Sequence, residues 1–532
     1  MSSEISITGT LNNLDVPSTP YVRPVLGKAK KGILLALFCL AEFMDAFVAS
    51  ALFPAIVALE ESLGIPANEV TWVFSAYSAT FAAFLLISGR VADIYSANAY
   101  QRQYSYQWAF VVGSAIVGLF SLGCGFVHGK VALFILRALA GIGAALTVPS
   151  ALSLIVEWFP EPDEQNRAIA LFGGGAALGN VLGIVVGGVF IQWASWKWIF
   201  YFTCMLGVPV AIFAALFVPP SAPRAHKPSW KRLDLGGVTL ITTSIVLFVY
   251  AVTTGAASGW GTARVIALLN VAVILGAGFF ILEARLDPYI ASLPPRTWRY
   301  KNVPILGAVA FVPFFWWCAM FLQLMPLFQN VYHWSAIMTA VRFLPTGVFG
   351  GGIAGPSGLF PKYVNPKWTI LGGLVLDIIA TILLALGDTR EKYWSILFPA
   401  FIIGTMGTMV VYTNTNIALF MNTPPEIAGV TGAIFNSSAQ LGIAVGLAVV
   451  TTISTSIDKK RVAAGKDVGY HGIADGFWFV LAVVAAEALA VVIWYKVDGQ
   501  AVDDVEGAGN LSVKEKGDEP SKEVSVGPGN DQ

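Results

Sequence analysis

The chain has 532 residues, of which 56% are hydrophobic and only 12% charged, and its mean hydropathy is +0.70. A soluble globular protein carries about 25% charged residues, so this composition excludes that class and points to a membrane protein. With 32 basic and 32 acidic residues the net charge is zero, which removes the basic footprint a nucleic-acid binder needs.

A polar stretch of roughly 30 residues precedes the first apolar run, which is too long for the apolar part of a signal peptide. A bilayer-spanning helix needs about 20 mainly apolar residues, and about 14 such segments are present. In chain order they are 33–58, 70–88, 108–127, 131–158, 168–192, 198–218, 237–256, 263–283, 303–328, 336–360, 368–387, 393–421, 427–454 and 474–495. The seventh and eighth are separated only by a short turn around Trp260. An even number puts both tails on one side. With that side cytoplasmic, about 21 Lys/Arg lie inside and about nine outside, as the positive-inside rule requires. The loop at 457–472, with Lys459, Lys460, Arg461 and Lys466, is the main exception.

The chain therefore divides into a disordered cytoplasmic tail (1–31), a first six-helix half (32–218), a linker carrying two further spans (219–302), a second six-helix half (303–495) and a disordered cytoplasmic tail (496–532). Internal halves of this kind are frequent in transporters, with the substrate site between them near the bilayer midplane. The expected fold is an all-α polytopic membrane protein of two six-helix halves plus two inserted helices.

Within the fifth segment Gly175, Gly179, Gly183 and Gly187 fall four residues apart, followed by Gly188. Such a seam lies on one helix face and lets a second helix approach backbone to backbone. Charges inside apolar segments are costly and are functional candidates by default. Asp45 lies about 12 residues, or about 18 Å, into the first segment, and Glu42 shares roughly its face. A carboxylate taken out of water, with a second one beside it, is suited to hold a proton; structural hydrogen bonding is the plainer role for both. Arg137 in the fourth segment lies at a depth from which it can reach Asp45 or snorkel to headgroups. In the second half Arg342 and Asp377 are isolated charges, and Arg342 is the candidate partner of Asp377. Glu487 in the last segment ranks lower.

Uncharged polar candidates for a substrate pathway are Asn180, Asn414, Asn416, Asn436 and Gln440, with Trp316, Trp317 and Tyr412 as aromatic walls. Buried amides more often simply bond across helices. Cys39, Cys124, Cys204 and Cys318, and the four histidines, are too scattered for a metal site or a disulfide framework. The run Gly350 to Gly355 fits a nucleotide-loop pattern literally but lies in an apolar segment with no strand before it. With no Walker sequence present, no cofactor is expected.

Several motifs together resemble the major facilitator superfamily, specifically its 14-helix drug:proton antiporter family as found in fungi. They are Met44-Asp45 followed by Ala51-Leu52-Phe53-Pro54; Gly89-Arg90-Val91-Ala92-Asp93; Arg137 through Gly141 and Gly143, with Ala140 where glutamine is usual; the glycine seam, with Ile184 where proline is usual; and Trp196 to Phe200 leading to Pro209. The texture is closest to fungal exporters grouped with aminotriazole-resistance and low-affinity ammonium transporters. The resemblance implies a proton-coupled secondary transporter exporting small organic molecules such as toxins, drugs or secondary metabolites. It also implies Asp45 and Arg137 in proton coupling, and Gly89, Arg90 and Asp93 as a gating loop between the halves. The glycine seam is placed at the interface of the halves. After Asp93 the usual glycine and basic cluster are replaced by Ser96-Ala97-Asn98-Ala99 and a Tyr/Gln-rich extension to Gln107. The expected setting is a monomer in the plasma membrane or an internal membrane such as the vacuole, its partners being protons, a small molecule and lipid. Rival readings are a transporter of a small inorganic or ammonium-like solute and a non-transporting membrane receptor or sensor. No nucleophile–base or metal group converges as an enzyme would require.

Overall fold

The computed structural model describes residues 26–67, 69–95, 106–219, 234–286, 291, 293, 295–424, 428–466 and 469–497. Lys28 to Lys31, expected in the first tail, already belong to a helix, while the tails up to residue 25 and from 498, the 99–107 extension up to Ser105 and most of the 219–302 linker outside its helices lie beyond the described residues.

The first half comprises α1 (Lys28–Ala51), α2 (Ile56–Leu63), α3 (Trp72–Tyr95), α4 (Tyr106–Phe126), α5 (Lys130–Trp158), α6 (Pro162–Trp193) and α7 (Lys197–Phe217). The inserted pair is α8 (Leu235–Ser258) and α9 (Ala263–Arg285). The second half comprises α10 (Val303–Val309), α11 (Val312–Pro326), α12 (Ala336–Ser357), α13 (Pro366–Leu386), α14 (Leu397–Met421), α15 (Ala428–Ala463) and α16 (His471–Trp494). Among the described residues, twelve spans are long and apolar enough to cross a membrane. The apolar stretches of α3 and α8, Trp72–Leu85 and Gly236–Val252, are shorter, so the expected count of about 14 is met for twelve spans by this measure.

Three expected segments change shape. The first is split: α1 stops at Ala51 and a turn through Leu52–Ala55 precedes α2, because Pro54 disfavours helical geometry in the residue before it. The ninth is two helices, α10 and α11, continued by a π-helical turn at Leu327–Val331. The thirteenth runs on to Ala463, so Lys459, Lys460 and Arg461 lie in the last turns of α15 rather than in a loop. Basic side chains at a helix C-terminus complement its dipole.

The helix starting at Lys28 defines a proximal membrane face; the α1–α3 connection lies at the opposite, distal face. Within the first half α1 packs on α6 and α7, and α5 on α3 and α4. Within the second, α13 packs on α14 and α16, and α11 on α15. The halves meet along two lines, α3 against α15 and α6 against α12. The inserted α8 covers the first line: Ile245 and Val249 pack with Ala79 and Ala83 of α3 and Ala444 of α15.

The second line closes at one end only. A β-carbon on Gly188 would stand 2.8 Å from that of Ala340, and Gly347 abuts Val181. One further pair of turns toward the proximal face, Gly174 on α6 and Gly351 and Gly355 on α12 continue the same two helix faces, and each has open space beside it. The halves thus touch distally and part toward the proximal face.

Candidate functional site

The glycine seam faces α1. A β-carbon on Gly175, Gly183 or Gly187 would stand 2.7, 2.6 or 2.6 Å from the carbonyl oxygens of Cys39, Phe47 and Ala51, and Gly179 meets the carbonyl of Phe43 in the same way. Both rows advance four residues at a time, so the two backbones run in contact for about three turns. This corrects the expected placement: the seam is internal to the first half, and of the five glycines only Gly188 faces α12. Ile184 is buried where the resemblance expects proline, and α6 runs unbroken from Pro162 to Trp193. Asn180, a pathway candidate, accepts from Ser50 Oγ at 2.5 Å and so also serves the α1–α6 contact.

Close packing of α6 holds α1 against its neighbours and fixes where Asp45 points. Asp45 accepts a hydrogen bond from the Tyr77 hydroxyl of α3. The Tyr77 ring in turn lies under Arg137 of α5, with 4.4 Å from guanidinium carbon to ring centroid. Arg137 is 2% exposed and donates through Nε to the Val73 carbonyl at 2.9 Å. The expected approach of Arg137 to Asp45 is therefore made through Tyr77, which stands between the two. Gly141 brings α5 onto the Tyr77 backbone, and Gly143 brings it onto Gly113 of α4, where a β-carbon would meet a carbonyl oxygen at 2.8 Å. The small residues of the Arg137 motif are what permit this cluster. Glu42 lies one turn toward the proximal end; its Oε2 is buried and, among the described residues, has no hydrogen-bond partner.

On the distal side an aromatic cluster joins the halves. Phe53, in the turn after α1, stacks on Phe74 of α3 and on Phe321 of α11, with centroids 4.6 and 4.9 Å apart, and meets Trp317 edge-on at 5.6 Å. Phe321 continues to Phe343, and Phe343 to Phe401, each at 4.8 Å. Gln329 Nε2 donates to the Pro54 carbonyl at 3.1 Å across the same junction. Trp317 is thus part of the distal closure.

Asp377 and Arg342 do not pair. Asp377, fully buried in α13, accepts from Thr408 Oγ1 of α14 at 2.9 Å, and its carbonyl accepts from Thr381 Oγ1 at 2.6 Å. Trp316 Nε1 donates to Thr381 Oγ1 at 2.7 Å, so Trp316 belongs to the helix seam and not to a pathway wall. Arg342 instead lies over Trp334 and Tyr393, 3.9 and 4.2 Å from their centroids, at the distal end. A guanidinium can be held by aromatic faces, a partner that charge-counting in sequence overlooks. Glu487 Oε2 is buried without a hydrogen-bond partner among the described residues.

Of the remaining polar candidates, Asn414 is buried and donates to the Val410 and Ser357 carbonyls at 2.9 and 3.4 Å. Asn436 donates to the Gly432 carbonyl at 3.0 Å. Asn416 and Gln440 are half-buried, and Gln440 Oε1 is without a partner among the described residues. Tyr412 packs edge-on against Phe435 of α15 and Phe314 of α11, at 4.9 and 5.6 Å. Gly89, Arg90 and Asp93 fall in the last turns of α3, and their side chains lie outside the described residues. Among the described residues no group of three or more His, Cys, Asp or Glu could hold a metal ion, and Gly350 to Gly355 lie inside α12.

Two helical bundles joined at one membrane face and parted toward the other, with ionisable side chains held between helices, form the architecture of a multi-pass membrane transporter. Residues 38–447 match the Major Facilitator Superfamily, and the chain belongs to that family. It is 28% identical over 473 residues to a multidrug transporter of Aspergillus fumigatus, covering 85% of each chain. It is 30% identical over 471 residues to a puromycin resistance protein of Streptomyces alboniger, covering 85% of this chain and 89% of the relative. The fold is similar to that of a D-xylose–proton symporter, with TM-score 0.59, 11% identity and coverage of 88% of this chain and 98% of the other.

Proposed function

We propose that this protein is a proton-coupled exporter of small organic molecules such as drugs, toxins or secondary metabolites. It works as a monomer in the plasma membrane, crosses the bilayer 14 times with both ends in the cytoplasm, and uses no cofactor. The observation that carries the reading is the Tyr77 link between Asp45 and Arg137. An acid in hydrocarbon can change its protonation cheaply only where a neighbour compensates the change in charge. Here Tyr77 donates to Asp45 and carries Arg137 on its ring, so a proton arriving at Asp45 would loosen the link between α1 and α5.

In this reading the distal face is extracellular. The parted state receives substrate from the cytoplasm between α6 and α12, against the half-buried polar groups of α14 and α15. Rocking of the halves about their contact lines would open the Phe53 cluster and expose Asp45 to external protons. Similarity to a multidrug transporter and a puromycin resistance protein, at 28% and 30% identity, supports organic substrates.

The deciding experiment reconstitutes the full chain in proteoliposomes and imposes a pH gradient while a fluorescent cationic dye or puromycin is followed. Gradient-driven movement that collapses with a protonophore is expected. Movement indifferent to the gradient would remove proton coupling from the proposal.

A further inference from the structure

The loop entering the second half and the end of α16 enclose a cavity of about 700 Å³ at the proximal face. Among the described residues, the charged ones that line it are basic: Arg299, Lys301 and Lys496. The deeper wall is apolar, formed by Ile305, Ala308 and Ala490. Tyr300 and Trp494 flank it and are 37% and 64% exposed, as aromatic side chains at a membrane–water boundary are.

The basic rim is held by the fold. Asn302, in the left-handed region at φ 61, donates through Nδ2 to the Lys496 carbonyl at 2.9 Å, while its Oδ1 accepts from the Lys496 amide at 2.8 Å. This two-way clasp ties the start of α10 to the end of α16. Two carbonyls at the end of α16, those of Val492 and Tyr495, accept from Lys367 Nζ at 2.9 and 3.0 Å, which offsets their repulsion of an anion. Among the described residues neither Arg299 nor Lys496 has an ion-pair partner.

We infer that this cavity binds one anionic glycerophospholipid, its phosphate between Arg299 and Lys496 and one acyl chain along the Ile305–Ala490 wall. A free phosphate would find the two cations but leave the apolar wall in contact with water. A zwitterionic lipid would fill the wall but bring a second cation against the rim. Only the anionic lipid matches both. The site lies on the outer surface of the second half, away from Asp45, so it stands whether or not transport is proton-coupled.

The test is native mass spectrometry of the full chain in detergent, equilibrated with phosphatidylserine, phosphatidylcholine or inorganic phosphate. One phosphatidylserine should remain bound while phosphatidylcholine and phosphate are lost. The R299Q/K496Q double variant should weaken retention about 25-fold, at about fivefold for each basic residue, and K392Q at the distal face should leave it unchanged. Equal retention of phosphatidylcholine, retention of phosphate alone, or undiminished phosphatidylserine on the double variant would each overturn the proposal. If the double variant is not recovered, the three ligands on the wild-type protein decide the matter.

Discussion

Tyr77 donates its hydroxyl to Asp45 while its ring supports Arg137, so a single side chain on α3 connects an acid on α1 to a base on α5. The acid and the base are thus coupled without forming an ion pair, and each can be perturbed separately.

Asp45→Asn should abolish pH-driven transport while leaving substrate exchange at equal pH intact. Tyr77→Phe keeps the ring under Arg137 and removes only the hydroxyl. It should shift the pH profile of transport and lower the rate about tenfold, the order expected for losing one hydrogen bond to a charged group. Proteoliposome transport across a pH series measures both; an unchanged pH profile in Asp45→Asn would take Asp45 out of the mechanism.

The glycine rows make opposite predictions at two positions of one helix. Gly183→Ala places a β-carbon against the Phe47 carbonyl and should destabilise the bundle by about 1–3 kcal/mol, as overpacking does; Gly183→Leu should prevent recovery of a folded protein. Gly173 has nothing within reach of an added β-carbon, so Gly173→Ala should be stabilising by up to about 1 kcal/mol through helix propensity. Thermal unfolding in detergent compares them, and equal melting temperatures would contradict the close α1–α6 contact.

Asp377 is tied to Thr408 within a helix seam, which predicts a structural role. Asp377→Asn should transport with a wild-type pH profile. Asp377→Ala should cost about 1–3 kcal/mol by leaving Thr408 unpaired. A lost pH dependence in Asp377→Asn would instead make this residue a proton carrier.

At the distal face burial, reinforced by the charge of neighbouring Glu61, pushes Glu60 up to about 7. Because the folded state favours the protonated form, its contribution to stability is full below the ordinary glutamate range. That contribution is lost as pH rises through about 7. The melting temperature should therefore fall between pH 5 and 8, and by less in Glu60→Gln, checked by thermal unfolding at a series of pH values, about 5 to about 8. An identical slope in the variant would show that other groups set it.

Two openings between the halves are not equivalent. The α3–α15 line is covered by α8 through Ile245 and Val249, whereas the α6–α12 line parts toward the proximal face. Cysteines at Gly174 and Gly351 should react with a water-soluble maleimide added from the proximal side, and one at Gly347 should not. Reactivity at Gly347 equal to that at Gly351 would argue against the one-sided contact.

Much of this protein was determined by sequence alone. Length and apolarity set the helices, because a bilayer admits only backbones that satisfy their own hydrogen bonds. The four-residue spacing of Gly175 to Gly187 required a close helix neighbour, and the isolated charges had to face inward. Which neighbour, and which partner, was decided only in three dimensions. The seam faces α1 rather than the other half, Arg137 reaches Asp45 through Tyr77, and Asp377 is held by Thr408 while Arg342 lies on Trp334 and Tyr393. Helical spacing specifies a face, but helix rotation and crossing specify what that face meets. Uncharged partners such as Tyr77 and Thr408 stand out from an apolar segment only once packing has placed them beside a charge.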